Sequence, residues 1–316
     1  MQESSSAAFS KHFDGKRFYN PNAPQAAGFL DLLRWQLSRR PEPSPDFISD
    51  VEQSTPPPHV EGSGLRTTLV NHSTVLFQQH GLNILTDPIW SKRASPVSWA
   101  GPGRRRKPGV AFENLPSIDA VLISHNHYDH LDLPTLRRLA ARENSMFIVP
   151  IGVARLLRSQ NIGPAHELDW GGSLSLPGFT IHCVPAMHFS ARGIFDRNKT
   201  LWCGYLMECQ ERLVYFAGDT AFGAHFAQIR EKYGSPHLAL LPIGAYDPRW
   251  FMSPVHMAPD EAIRAHEILA AKTSIGIHHG TFKLTDEGID TPAKLISSYA
   301  RPDFLVLKNG QFASIP

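Results

Sequence analysis

The stretch of sequence that decides the fold is residues 120–130, AVLISHNHYDH. Its first half is apolar enough to form a strand that is buried on both faces. Its second half packs three imidazoles and a carboxylate into six residues. Along an extended chain, residues two apart point the same way, so His125 and His127 can hold one metal ion. The following turn can bring Asp129 and His130 to a second ion. Imidazole and carboxylate suit zinc, so we predict hydrolysis by a metal-activated hydroxide.

Three later residues carry the same kind of side chain, and each lies at the end of a predicted strand. His188 follows one strand, Asp219 follows Gly218 after another, and His278 ends a third. Gly218 lets the backbone turn sharply, and the two oxygens of the Asp219 carboxylate can bridge two cations. Open α/β sheets bind ligands at the carboxyl ends of their strands. We therefore predict that these side chains meet those of residues 125–130.

Two more residues are candidates for supporting roles. His256 precedes a predicted helix start, where it either positions a substrate phosphate or amide or simply packs. Asp87 follows a predicted strand and precedes Pro88. Its carboxylate either accepts a hydrogen bond from a ligand imidazole, which would fix the tautomer of that ring, or only shapes the turn.

Composition limits the classes of function. The 316 residues include 31 Lys and Arg against 29 Asp and Glu, a net charge of +2, which does not predict nucleic-acid binding. The cysteines lack paired spacing and indicate reduced thiols. The sequence shows neither a secretory signal pattern nor an apolar run of membrane-spanning length. These features predict a cytoplasmic protein, either free or peripheral at a membrane surface.

A compact basic run, Arg104–Lys107, lies in a turn-rich segment between Gly103 and Pro108. We interpret it as a solvated loop. The alternative is an anchor for phosphate, either on a substrate or on an anionic membrane.

Residues 1–60 are predicted to be an accessory segment, and residues 61–316 the catalytic domain. An amphipathic helix is predicted over Ala26–Arg40, with Phe29, Leu30, Leu33 and Leu37 on one apolar face. A Pro-rich connector follows it. The helix is expected to pack on its own protein, and binding to a membrane surface is the alternative.

From Leu65 onward the pattern predicts strands first without and then with intervening helices, which indicates a layered α/β fold. The predicted strands are Leu65–Val70, Thr74–Gln78, Leu82–Thr86, Asp119–Ser124, Thr180–Val184, Leu201–Glu208, Leu213–Ala217, Leu238–Pro242, Ser274–His278 and Phe304–Leu307. The predicted helices are Leu133–Arg142, Val153–Ser159, Phe222–Tyr233, Pro259–Ala271 and Pro292–Tyr299.

The order His-x-His-x-Asp-His, later His, Gly-Asp and final His resembles the metallo-β-lactamase superfamily over roughly residues 65–310. The resemblance implies an αββα sandwich that carries two zinc ions. It implies that the first zinc is held by His125, His127 and His188, and the second by Asp129, His130 and His278, with Asp219 bridging. Asp129, Asp219 and His256 are the implied catalytic residues.

Longer strings are similar to the N-acyl-phosphatidylethanolamine-hydrolysing phospholipase D family, at residues 85–90, 93–96, 118–124, 242–252 and 277–282. This resemblance implies that the protein forms a homodimer, associates with membranes and acts in lipid metabolism. It also implies a phosphodiesterase of the phospholipase D type, which releases N-acylethanolamine and phosphatidic acid from a phospholipid. Asp129 or a metal-bound water is expected to protonate the leaving group. Val255 and His279 stand where the animal enzymes carry Gln and Trp, and they are expected to influence the substrate.

Three alternatives stay open at this point. The same ligands suit a metal-dependent lactonase, and they also suit another phosphodiesterase or a nuclease of the superfamily. A non-enzymatic metal-binding scaffold is the third, disfavoured because all seven candidate ligands are present.

Overall fold

Two mixed β-sheets face one another in this protein. A computed structural model describes residues 11–21, 24, 27–210 and 212–315. In chain order the strands are β1 (Leu65–Asn71), β2 (Thr74–Gln79), β3 (Leu82–Thr86), β4 (Ala120–Leu122), β5 (Met146–Pro150), β6 (Ala165–Leu168), β7 (Ser173–Leu176), β8 (Phe179–Val184), β9 (Gly204–Cys209), β10 (Arg212–Phe216), β11 (Leu238–Pro242), β12 (Thr273–Ile277), β13 (Phe304–Leu305) and β14 (Phe312–Ile315). One sheet has the order β14-β1-β2-β3-β4-β5-β6, and the other has the order β13-β12-β11-β10-β9-β8-β7.

The described helices are α1 (Phe29–Ser38), α2 (Leu133–Arg142), α3 (Val153–Ser159), α4 (His225–Tyr233), α5 (Arg249–Met252), α6 (Pro259–Leu269) and α7 (Thr291–Ser298). Five of them cover the outer faces of the two sheets. Helices α2 and α3 pack in one apolar cluster with the outer face of the first sheet. Helices α4, α6 and α7 do the same on the second. This confirms the αββα sandwich. Among the described residues, no helix is long and apolar enough to cross a membrane.

The sheets pack face to face through a third apolar cluster, which explains the apolar run before the histidines. Leu122 points into this core between the sheets, whereas Val121 points toward α2 and α3. Strand β4 is therefore buried on both faces, as predicted. Burial of each such side chain stabilises the fold by about 1.5–3 kcal/mol. Cys183 and Cys203 lie in the same core, and all three cysteines are free thiols.

Parallel pairing brings the ends of several strands to one edge of the sandwich. Strands β3 to β6 pair in parallel in the first sheet, and β10 to β13 do so in the second. The carboxyl ends of parallel strands lie on one side of a sheet, so the loops that follow them converge. Residues 125–130 follow β4, and His278 follows β12, at this edge.

Two strands escape prediction because they lack a clear apolar period. Strands β6 and β7 have mostly half-buried or exposed side chains, as in the alternating exposure of Ser173–Leu176. Strands β5 and β14 and the single-turn helix α5 were also not predicted. Helix α4 begins at His225 rather than Phe222.

The N-terminal helix packs on the protein through a face that differs from the predicted one. The Trp35 ring lies 4.9 Å from that of Phe251, and Trp35 Nε1 donates to Asp286 Oδ2 at 2.9 Å. Of the predicted apolar row, Leu30 and Leu37 are 78% and 90% exposed. Helix α1 spans residues 29–38, and the predicted start at Ala26 lies outside the described residues. The boundary at residue 60 stays a prediction.

Both interpretations of the basic run are wrong, because its arginines have partners inside the protein. Arg106 is buried and pairs with Asp50 at 2.8 and 3.0 Å and with Asp290 at 2.9 Å. Arg104 donates to the carbonyls of Ile89 and Ser91, both at 3.0 Å. The run therefore ties the connector to the catalytic domain and leaves little free charge for phosphate.

Candidate metal centre

Three imidazoles converge at the first half of the centre. His125 Nε2 lies 2.8 Å from His127 Nδ1, which lies 3.2 Å from His188 Nε2. The outer nitrogens have fixed partners, since His188 Nδ1 donates to the Val255 carbonyl and His125 Nδ1 contacts Ser124 Oγ, each at 2.9 Å. Nitrogens bound tetrahedrally to zinc at about 2.0–2.1 Å lie roughly 3.3 Å apart. The three rings are thus spaced as one metal ion requires.

Electrostatics keeps these three rings neutral, the form that binds metal. Burial lowers the pKa of His127 to about 3 and that of His188 to about 4. Burial, reinforced by repulsion from His130, holds the pKa of His125 well below its usual range. Neutral imidazoles keep a free lone pair. The cluster can therefore accept a cation without first losing a proton.

The second half of the centre combines a carboxylate with imidazoles from three separate loops. Asp129 Oδ2 lies 3.2 Å from His278 Nε2 and 3.4 Å from His130 Nε2. His72 Nε2 lies 3.0 Å from the same oxygen. These four side chains can present ligand atoms to one ion.

Asp219 connects the two halves. Its Oδ2 lies 3.1 Å from Nε2 of both His130 and His278, and 3.8–3.9 Å from Nε2 of His188 and His125. Gly218 places it there with φ of +61°, and a Cβ at Gly218 would lie 2.7 Å from the Cβ of Ser124. The sharp turn predicted at this glycine is confirmed.

The two aspartates and two of the histidines hold each other charged. Burial opposes ionisation of Asp129 and Asp219, but the charge of His130 together with hydrogen bonds from His130 and His278 outweighs it and lowers both pKa values well below the usual range. Burial likewise opposes the charge on His278, but the charge of Asp219 and hydrogen bonds to Asp129 and Asp219 together outweigh it and raise the pKa to about 9. The pKa of His130 is raised in the same way. Protons thus occupy the second half of the centre in the metal-free protein.

These residues fit a pair of divalent ions. Within the described chain, Asp219 Oδ1 is buried without a hydrogen-bond partner. An unpartnered buried polar atom is costly, and a bound cation relieves that cost. The set of imidazoles and carboxylates is typical of zinc.

Asp87 supports the ligands, as one of its two interpretations predicts. Its Oδ2 contacts His130 Nδ1 at 2.6 Å, and its two oxygens accept from the backbone N–H and the hydroxyl of Ser124 at 2.7 and 2.6 Å. Because Ser124 in turn contacts His125, one buried carboxylate orients rings in both halves of the centre. The hydrogen bond predicted between Asp87 and a candidate ligand imidazole is confirmed.

His256 lies beside the centre. Its Nδ1 is 4.0 Å from Asp219 Oδ2, and its ring lies 5.0 Å from that of His188. Burial lowers the pKa of His256 well below its usual range, so the ring is neutral. It can donate a hydrogen bond to a substrate oxygen from one of its ring nitrogens.

Backbone strain accumulates around the centre. His72, Asp87, Ala245 and His278 have φ values of +49°, +33°, +61° and +59°. Side chains other than glycine rarely take this conformation, and each such residue costs about 1–3 kcal/mol. Packing elsewhere holds these four residues in the geometry that the site needs.

His72 is the candidate ligand that sequence reasoning missed. It occupies the two-residue turn between β1 and β2, where only its turn character was evident. The His278 N–H donates to the His72 carbonyl at 3.0 Å, and the His72 N–H donates to Thr281 Oγ1 at 3.0 Å. In the sequence, His72 is a single histidine between two apolar strands. No other ligand-type residue lies near it at a spacing typical of a metal site.

We expect His72→Asn to weaken metal binding at the second half of the centre by roughly 10- to 100-fold, because the ring orients the Asp129 carboxylate. Asn tolerates the left-handed turn, so the fold should survive. Metal content after dialysis against a chelator series measures the effect. The matched control is His80→Asn, which changes another hairpin-turn histidine, with φ of +51°. Equal metal retention in both variants would show that His72 only shapes the turn.

A cavity of about 780 Å³ leads to this centre. His127, Asp129, Asp219, His256 and His278 reach its floor. Its walls are mainly apolar, and the lining residues there include Ala27, Leu32, Trp35, Phe189, Ile194, Phe251, Met252, Val255 and Leu284. Arg197 is the guanidinium among the described lining residues. His279 is absent from that set, so of the two positions that depart from the animal enzymes only Val255 lines the cavity.

The fold and the centre together define a metal-dependent hydrolase of the metallo-β-lactamase fold. The family model described as β-lactamase superfamily domain matches residues 82–279. The structure of Igni18, a metallo hydrolase from Ignicoccus hospitalis, aligns with a TM-score of 0.61 at 23% identity, covering 80% of this chain and 99% of that one.

Sequence relatives identify the family of this protein within the superfamily. N-acyl-phosphatidylethanolamine-hydrolyzing phospholipase D 1 of Caenorhabditis elegans is 38% identical over 293 residues, covering 86% of this chain and 82% of that protein. An uncharacterised Mycobacterium tuberculosis protein is 38% identical over 289 residues, covering 88% and 75%. The chain belongs to the β-lactamase superfamily and, within it, to the N-acyl-phosphatidylethanolamine-hydrolysing phospholipase D family.

Proposed function

We propose that the protein is a dinuclear zinc phosphodiesterase of the phospholipase D type. Its substrate in this proposal is N-acyl-phosphatidylethanolamine or a related phospholipid, which water cleaves to N-acylethanolamine and phosphatidic acid. The cavity carries the proposal, because apolar walls suit acyl chains and the ionic floor suits a phosphodiester. The name of the nematode relative supports the same substrate class. Peripheral membrane association and a homodimer, both implied by the resemblance, belong to this proposal.

In the proposed site, each half would hold one ion. His125, His127 and His188 would hold the first zinc ion, and Asp129, His130 and His278 the second, with Asp219 shared between them. Bound zinc would supply a nucleophile at neutral pH by lowering the pKa of water to about 7.

The remaining polar groups position the phosphodiester. His256 lines the cavity and offers a neutral ring N–H to a phosphoryl oxygen. The Arg197 guanidinium donates to the Ala27 carbonyl at 3.3 Å, a neutral partner that leaves its charge available to an anionic substrate. The pKa of Asp129 is low, because charge and hydrogen bonds from histidines outweigh its burial. We therefore assign Asp129 to metal binding and not to protonation of the leaving group.

A substrate panel tests the assignment. The zinc-loaded protein is assayed with N-acyl-phosphatidylethanolamine, bis(p-nitrophenyl) phosphate, an acyl-homoserine lactone and RNA, with metal content measured in parallel. The proposal expects turnover of the lipid, and slower turnover of the small diester that cannot fill the apolar walls. Turnover of the lactone alone would refute phosphodiester cleavage. Inactivity on all four substrates with metal bound would favour the scaffold.

We expect the exposed row of α1 to strengthen binding to lipid. Leu30 and Leu37 face solvent, while neighbouring Leu32 lines the cavity. Insertion of one leucine into a bilayer contributes about 1.5–3 kcal/mol, so Leu30→Ser with Leu37→Ser should weaken vesicle binding by at least roughly 100-fold. Vesicle sedimentation measures this binding.

Turnover of a water-soluble diester should not change in that double variant. Leu295→Ser on α7 is the control, because Leu295 is also an exposed leucine, at 40%. If all three proteins sediment equally with vesicles, α1 is not the lipid-binding element.

A further inference from the structure

A second cavity, of about 620 Å³, lies on the other side of residues 125–130, which we name the ligand loop. We name it the second pocket and define it by segment 91–98, Tyr128, the start of α2 with Arg137, and Arg192. His127 and Asp129 line the first cavity, whereas Tyr128 between them lines the second. The two cavities are therefore separated by one turn of the chain.

Four cationic side chains line the second pocket, and the side-chain hydrogen bonds of its three arginines go to neutral acceptors. Arg93 donates to the carbonyls of Ser98 and Gly101 at 3.1 and 2.6 Å. Arg192 donates to the carbonyls of Asn126 and Leu131 at 2.9 and 2.8 Å. Arg137 donates to the side-chain oxygen of Gln160, and Lys92 is exposed. Carbonyl and amide acceptors hold the three arginine side chains in place without neutralising their charge.

The carboxylate among the described lining residues, Asp132, offsets only part of this charge. Asp132 accepts hydrogen bonds from the backbone amides of Trp90 and Ser91 and from the hydroxyls of Ser91 and Thr135, at 2.6–3.3 Å. Both of its oxygens are occupied by uncharged donors. Asp196, nearby in the chain, accepts from the backbone amides of Arg192 and Gly193 rather than from a guanidinium. Four cations against one carboxylate give the described lining a net positive charge.

We propose that the second pocket binds a phosphoryl anion, separately from the metal centre. Clustered guanidinium and ammonium groups in a cleft concentrate anions and form short charge-assisted hydrogen bonds to phosphate oxygens. The anion is either free in solution or the headgroup of an anionic lipid.

An anion in this pocket lies next to the ligand loop. The Arg192 guanidinium stacks 4.0 Å over the Tyr128 ring, and the Tyr128 hydroxyl donates to the Arg192 carbonyl at 2.7 Å. Arg192 also holds the backbone on both sides of residues 127–130 through Asn126 and Leu131. Arg192 is therefore left unchanged in the test, and the peripheral cations are replaced.

Helix α2 supplies a matched pair of variants. Arg137 lines the pocket, whereas neighbouring Arg138 points elsewhere and pairs with Glu113 at 2.7 Å. Inorganic phosphate is titrated calorimetrically into zinc-loaded wild-type protein, Arg137→Gln, Lys92→Gln and Arg138→Gln. Phosphate binding at the metal centre contributes equally to all four isotherms. A second binding component should weaken roughly tenfold in Arg137→Gln and in Lys92→Gln, but not in Arg138→Gln.

Vesicles of phosphatidylcholine, with and without phosphatidic acid, distinguish the two sources of the anion. If Arg137→Gln also loses the preference for phosphatidic acid, the ligand is a lipid headgroup. If only phosphate binding weakens, the ligand is a soluble anion. Identical phosphate isotherms for Arg137→Gln and Arg138→Gln, with equal thermal midpoints, would overturn the proposal. Neither readout depends on turnover, so the outcome is independent of the proposed function.

Discussion

Replacement of Asp219 by Asn is expected to lower turnover by roughly 10³-fold or more while the fold persists. Asp219 Oδ2 is within 4.0 Å of histidines from both halves of the centre, and its other oxygen is buried without a partner. Asn keeps the shape of the side chain and removes the negative charge that balances two cations. The effect should therefore fall on metal binding and chemistry rather than on packing.

Turnover and metal content are measured together, so that loss of metal can be separated from loss of the carboxylate. Asp260→Asn is the matched control, because Asp260 is exposed on the first turn of α6, far from any predicted ligand role. Near-normal turnover of Asp219→Asn at full metal content would refute the bridging role.

Removal of the metal ions is expected to have the second large effect, on stability as well as on activity. An ion that binds only the folded protein stabilises it by about 4 kcal/mol when its concentration is a thousand times its dissociation constant. Chelator treatment should lower the thermal midpoint and reduce turnover to background. Readdition of zinc should restore both, which controls for irreversible damage by the chelator. Unchanged midpoints would show that the centre does not hold metal tightly.

The size of this stabilisation should depend on pH. In the metal-free protein the pKa of His278 is about 9, above its ordinary value of 6.5, because the charge of Asp219 and hydrogen bonds to Asp129 and Asp219 together outweigh burial. Protonation therefore stabilises the metal-free fold below pH 6.5, and this contribution is lost as pH rises toward 9. Metal must displace the same proton, so its affinity rises over that window. The midpoint difference between zinc-loaded and metal-free protein should grow from pH 6.5 to 9; a difference that shrinks would contradict this coupling.

The chain order of strands and histidines made most of the centre predictable. Residues 125–130 follow β4 as a short segment and a turn, and the two-residue spacing of His125 and His127 was enough to predict that they lie together. His188, Asp219 and His278 could be grouped only because each follows a predicted strand. His72 had no such signal, since its position beside Asp129 depends on how β1 and β2 pack against β12.

Charge was the property that the linear sequence predicted least well. Arg104 and Arg106 form a dense basic run, yet carbonyls and carboxylates distant in sequence occupy them. Arg93, Arg137 and Arg192 are scattered over about one hundred residues, yet they line one cavity. The same limit applies to α1, whose helical period was evident, whereas the face that contacts the protein was set by Trp35 and its partners.

The sequence by itself determined the layered α/β class and the kinds of side chain available for metal chemistry. Both can be predicted because the apolar pattern of a strand and the spacing of ligand residues are local properties of the chain. Only the tertiary structure decided which of those side chains converge, how Asp87 and His72 orient them, and what shape the cavity above them takes. Those outcomes depend on contacts between residues far apart in the chain. Such contacts, and not the neighbours in sequence, decide whether an imidazole is neutral or charged and whether an arginine is free or paired.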